Sequence, residues 1–224
     1  MKNISIKDAL KFAWEKFRSN VGFFLVLALI SLLLQFTAQG MQIEYKSGQS
    51  PPFDVSVELF GLIAFIIKIV IDIGLIRIAL DFEGGKKPGF SDLVKDYKLA
   101  IKYFLSSFLY GLITGVGLIL LIIPGIYLAL RLQFYSYLIV DKGFGPLQAL
   151  KESWKLTKGK VIKLLLYGLL TIGLYLLGVA ALIVGILVAV PITMLALAHI
   201  YRQLLQNNPP QPQPISSTTY PIDR

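Results

Sequence analysis

The chain reads as an all-α, polytopic membrane protein with six transmembrane helices in three hairpins, each preceded by an amphipathic interfacial helix. Three observations predict this. Hydrophobic residues make up 55% of its 224 residues and the mean hydropathy is +0.69, more apolar than an ordinary soluble domain. Residues 19–43, 103–130 and 164–201 carry no formal charge. Of 22 Lys and Arg, 18 lie in four segments, 1–20, 81–102, 141–163 and 202–224. Basic flanks beside apolar spans mark the cytoplasmic side, so both termini are expected inside, at a plasma membrane.

The first span covers about residues 21–38. It follows some 20 mixed residues and is long for the apolar run of a signal peptide, so it is read as a retained span. Residues 39–54 contain Gly40, Gly48, Pro51 and Pro52, and set one Lys against Glu44 and Asp54, as suits an outer loop. The second span, 59–80, ends at the break Glu83-Gly-Gly-Lys-Lys-Pro-Gly89. The third, 103–123, turns at Pro124-Gly125 into the fourth, 126–140, as a tight hairpin.

The uncharged stretch 164–201 would be about 57 Å long as one helix, against a hydrocarbon core of about 30 Å. Two spans, 162–178 and 184–204, are therefore expected, turning near Gly178–Gly185, with Pro191 kinking or interrupting the last. Residues 1–205 form one transmembrane domain. The Pro-rich polar stretch 206–224 lacks the apolar content to fold and reads as a disordered cytoplasmic tail.

The net charge of +9 sits on the flanks of spans, which points to anionic lipid head groups and not to nucleic acid. The absence of Cys excludes disulfides, thiolate metal sites and a Cys nucleophile.

A unit recurs. Ile6, Leu10, Ala13, Trp14 and Phe17 share one helical face, as do Phe90, Leu93, Val94, Tyr97, Ile101 and Phe104, and again Leu147, Leu150, Trp154 and Val161. The first and third copies agree at an offset of 140: Ala9-Leu10-Lys11 matches Ala149-Leu150-Lys151, Trp14 matches Trp154, and Val21 matches Val161. Basic amphipathic helices with boundary Trp lie in the head-group plane. Lys11, Trp14, Lys151, Trp154 and Lys158 are the expected lipid contacts. Such helices either orient the spans and seal the bundle, or form a collar for lipid or a protein partner.

The stretch Ile123-Pro-Gly-Ile126, Arg131, Tyr137-Leu-Ile-Val-Asp141 and Gly145-Pro-Leu-Gln-Ala-Leu-Lys-Glu-Ser-Trp-Lys-Leu-Thr-Lys-Gly159 resembles a prokaryotic integral-membrane family. Its relatives include the membrane domain attached to some glycerophosphoryl diester phosphodiesterases and the YciC-like inner-membrane proteins. Pro191 followed by Ala198-His-Ile-Tyr-Arg202 looks like the last span of that group. The resemblance implies the six-span fold, an inner-membrane location and little about activity. The phosphodiesterase barrel needs about 250 residues and a set of metal-binding carboxylates and histidines, neither of which this chain offers.

Charges inside spans are costly, about 2.5–3.5 kcal/mol each on insertion scales, and so need partners. Lys68 and Asp72 are spaced i,i+4 on one face of span two. Arg131 has no acid nearby in sequence, so a buried cluster of Lys68, Asp72 and Arg131 is expected, either as a structural clamp or as a binding or proton-relay site. Arg77 and Asp81 form a second i,i+4 pair, read as structural. His199, the only histidine, has no neighbouring acid in sequence and is a poor metal site. Gly111, Gly115 and Gly117 permit close helix contact within or between chains. No catalytic motif and no cofactor site emerge. The expected function is a non-catalytic membrane domain that touches anionic lipids and organises or recruits partners, with a homo-oligomer open. The alternative is a small transporter or channel using the Lys68/Asp72/Arg131 cluster.

Overall fold

The computed structural model describes residues 4–45, 55–181 and 184–209. They are mostly helical, without a strand. Among the described residues nine α-helices run in order: α1 (Ile6–Ser19), α2 (Val21–Tyr45), α3 (Val55–Glu83), α4 (Ala100–Leu120), α5 (Ile122–Leu132), α6 (Tyr135–Lys142), α7 (Pro146–Leu156), α8 (Val161–Ala180) and α9 (Val184–Asn207). Five stretches are long and apolar enough to cross a membrane: Leu59–Glu83, Phe90–Leu120, Ile122–Lys142, Val161–Ala180 and Gly185–Asn207. The pair Ile6–Ser19 and Val21–Leu34, bent by 101°, makes up to six when it is counted as one span. The expected tail beyond Pro209 lies outside the described residues.

The first amphipathic helix starts where Ser5 caps it, the Asp8 N–H donating to Ser5 Oγ at 3.2 Å, which satisfies one of the free N–H groups of a helix start. It buries Ala9, Ala13 and Phe17 against α9. The third copy buries Ala149, Ser153 and Thr157. These positions are equivalent at the offset of 140, so the repeat extends from sequence to packing.

The middle copy differs from its expected helix. Residues Phe90–Leu93 and Tyr97–Leu99 form two short 3₁₀ turns. They are pressed onto α3 at Gly74, where an added Cβ would lie 2.1 Å from the Leu93 carbonyl oxygen. Close backbone contact on α3 replaces the regular helix.

The two apolar hairpins are pinned by glycines. A Cβ on Gly125 would meet Leu118 at 2.5 Å, and one on Gly185 would meet Gly178 Cα at 2.5 Å. The α4–α5 turn falls at Leu121, whose backbone is extended, and not at Pro124-Gly125. Pro124 sits in the first turn of α5, where a missing N–H is harmless, and Gly125 serves the close approach. Gly111 and Gly115 meet nothing within 4 Å, so the contact between α4 and α5 uses Gly117 instead. Pro191 lies inside α9, which continues through it.

Packing is uneven. Ile73, Ile78, Leu80, Phe134, Leu138, Leu195, Ile200 and Leu204 are fully buried. At the other end, most of α3 from Leu59 to Ile67, the tip Ile119–Ile123, and Leu176, Leu177 and Val179 are exposed apolar surface. Polar contacts gather the basic segments at the packed end. Lys163 Nζ donates to the Ile4 carbonyl at 3.0 Å, and Lys102 Nζ to the Gly143 carbonyl at 3.1 Å.

Candidate functional site

Lys68 and Asp72 come together on α3, Nζ to Oδ2 at 2.6 Å, with both side chains about one-third exposed. Arg131 does not join them. It is 4% exposed, and its guanidinium carbon lies 4.0 Å from the Trp154 ring centre and 5.7 Å from that of Tyr127. Its Nε has no hydrogen-bond partner among the described residues. An aromatic face attracts the cation through its quadrupole and stands where a carboxylate was expected.

The backbone around Arg131 explains its position. The helix breaks between α5 and α6, freeing carbonyl and N–H groups that must be bonded when buried. Two hydroxyls of the α7 segment supply the bonds. Ser153 Oγ and Thr157 Oγ1 donate to the Arg131 carbonyl at 3.0 and 2.9 Å, and the Phe134 N–H donates to Ser153 Oγ at 3.1 Å. The third amphipathic unit is thus welded to a broken span, with Trp154 held over Arg131.

A groove of about 460 Å³ opens beside this weld, lined by Ile113, Leu128, Leu132 and Trp154, with Lys151 and Lys155 among its walls. A second cleft, about 370 Å³, is lined by Lys155, Lys158, Gly159, Lys160, Asn207 and Asn208. Lys155 belongs to both and is paired with Glu152 at 2.7 Å. Of the other expected lipid contacts, Lys11 is 4.0 Å from Glu15 and Trp14 is half exposed.

A different ionic clamp joins α9 to α3 and α6. Arg202 on α9 approaches Glu83 of α3 at 3.3 Å and Asp141 of α6 at 3.0 Å. Tyr201 Oη donates to Asp141 at 3.0 Å. His199 lies 3.6 Å from Glu83 and stacks on Phe12 at 4.8 Å, so it does have an acid neighbour, one distant in sequence. Arg77 pairs with Asp96 and donates to the Val140 carbonyl, whereas Asp81 pairs with Lys86. The expected Arg77–Asp81 pair gives way because the segment on Gly74 carries Asp96 within reach. Asp141, His199, Tyr201 and Arg202 all stood in the sequence stretches that carried the resemblance, which was the only signal available. Among the described residues no group of three or more His, Cys, Asp or Glu gathers to hold a metal ion.

Residues 99–219 match the family described as Domain of unknown function (DUF7847). This is more than half of the chain, and the chain belongs to that family. No curated protein matches it, and no solved structure matches it.

Proposed function

We propose that this chain is a non-catalytic integral membrane domain that holds anionic lipid at its basic end and organises or recruits membrane partners there. In this reading it spans a prokaryotic plasma membrane six times in three hairpins, with both termini in the cytoplasm. The kinship with the phosphodiesterase membrane domains and YciC-like proteins, drawn from residues 123–159, belongs to the same proposal.

The observation that carries it is the groove beside α7. Its walls are apolar enough for acyl chains and it is flanked by Lys151, Lys155 and Trp154, the residue types that meet phosphate and carbonyl at a membrane interface. Arg131 acts by holding Trp154 in place. The gathering of basic segments at one end supports the orientation, because basic flanks favour the cytoplasmic side. A transporter or channel would need Arg131 beside Lys68 and Asp72. Arg131 stands on Trp154 instead, so the lipid reading is preferred.

Native mass spectrometry from lipid nanodiscs tests it. Wild type should retain a stoichiometric anionic lipid, and Lys151→Gln with Lys155→Gln should lose it. A wild-type protein that emerges bare would remove the basis of this reading.

A further inference from the structure

We infer that the groove and the adjoining lysine cleft form one site for a membrane lipid whose head group carries two phosphates. This rests on the lipid reading above and adds the class of head group. A lipid with one phosphate would be met at the groove itself, by Lys151 and Lys155. The chain builds more than that. Beyond Lys155 lies a further cleft of about 370 Å³ that carries Lys158 and Lys160.

Gly159 makes this possible. Its φ of +72°, open to glycine without strain, turns the chain so that the lysines on either side of it line one cleft. Four lysines line the two cavities, and one of them, Lys155, is paired, with Glu152. Lys151, Lys158 and Lys160 have no ion-pair partner among the described residues.

One feature opposes an anion here. The C-terminal end of α9, at Asn207, brings the negative end of a helix dipole, equivalent to about half a charge. Three uncompensated ammonium groups outweigh it. The occupant is a lipid and not a soluble diphosphate because the cleft shares Lys155 with a groove walled by Ile113, Leu128 and Leu132. The two phosphates would sit on either side of that shared lysine, with the acyl chains along α5 and α7.

The test uses the full chain with Trp14→Phe, so that Trp154 is the remaining tryptophan. It is placed in neutral phosphatidylcholine nanodiscs doped with brominated phosphatidylglycerol (one phosphate) or brominated cardiolipin (two phosphates). Lysines near a membrane surface each contribute roughly fivefold in affinity. Cardiolipin should therefore quench Trp154 at a mole fraction about 25-fold lower than phosphatidylglycerol. Lys158→Gln with Lys160→Gln should abolish that preference, and a preference that survives the change overturns the inference. Equal quenching by the two lipids, compared per phosphate, overturns the two-phosphate inference while leaving the lipid site standing. Quenching by neither overturns both. Inorganic pyrophosphate that alters Trp154 emission in undoped discs, without cardiolipin quenching, would show a soluble anion to be the occupant and overturn the inference.

Discussion

The Arg131 guanidinium lies 4.0 Å from the centre of the Trp154 ring, buried and without a carboxylate among the described residues. A stacked, desolvated pair of this kind contributes about 2 kcal/mol. Trp154→Ala leaves the cation without its partner and opens a hole over it. The expected cost is about 3 kcal/mol, with Trp154→Phe recovering more than half. Unfolding in mixed detergent micelles measures both, and equal losses for the two variants would contradict the stacking account.

Asp141→Asn should cost about 3 kcal/mol, because it leaves Arg202 with one acid in a clamp that is mostly buried. The Asp141 side chain is 9% exposed and takes contacts from Arg202, Tyr201 and Lys142. Tyr201→Phe removes one hydrogen bond and should cost about 1 kcal/mol. A double-mutant cycle between Asp141→Asn and Tyr201→Phe should show coupling. Additive losses would mean that the two residues act separately.

Gly74→Ala tests the docking of the segment between α3 and α4. An added Cβ collides with the Leu93 backbone, which cannot move without releasing Asp96 from Arg77. A loss of about 2 kcal/mol is expected, with faster tryptic cleavage at Lys95 and Lys98. Gly115→Ala, which meets nothing, should leave both unchanged in a monomer. A change in oligomeric state with Gly115→Leu would show that this face of α4 is covered by another copy.

Orientation can be read by labelling. The chain has no cysteine, so single replacements report cleanly. Lys87→Cys and Lys158→Cys should react only with reagent supplied from the cytoplasm, and Gln49→Cys only from outside. The opposite pattern would invert the proposed topology.

The long uncharged stretches were legible because hydropathy is a local property, and α8 and α9 meet near Gly178–Gly185 where length alone demanded a turn. The repeat was legible too: Ala9 and Ala149 are both fully buried. What the sequence hid was partnership across distance. Arg202 meets acids 61 and 119 positions away, at Asp141 and Glu83, and nothing local marks such a pair. The i,i+4 rule joined Lys68 to Asp72, yet for Arg77 it named Asp81, because a more distant acid comes closer in space. Charge alone predicts a carboxylate beside Arg131. Its actual neighbour, Trp154, was in view as an interfacial anchor, and a cation seeking an aromatic ring leaves no spacing signature. The middle amphipathic stretch had helical periodicity, but a close glycine contact on α3 set its backbone.

The central position of α9 has a consequence for biosynthesis. It packs against α1, α2, α3 and α8, and Ser5 and Gln203 bond to each other across 198 positions of chain. Since α9 leaves the ribosome after all four of these partners, the faces they turn to it stay uncovered until it arrives. The Ala9, Ala13 and Phe17 face of α1 must wait uncovered while the intervening helices are made. A chain stalled before α9 would therefore present the quality-control machinery with four helices whose shared seat is empty.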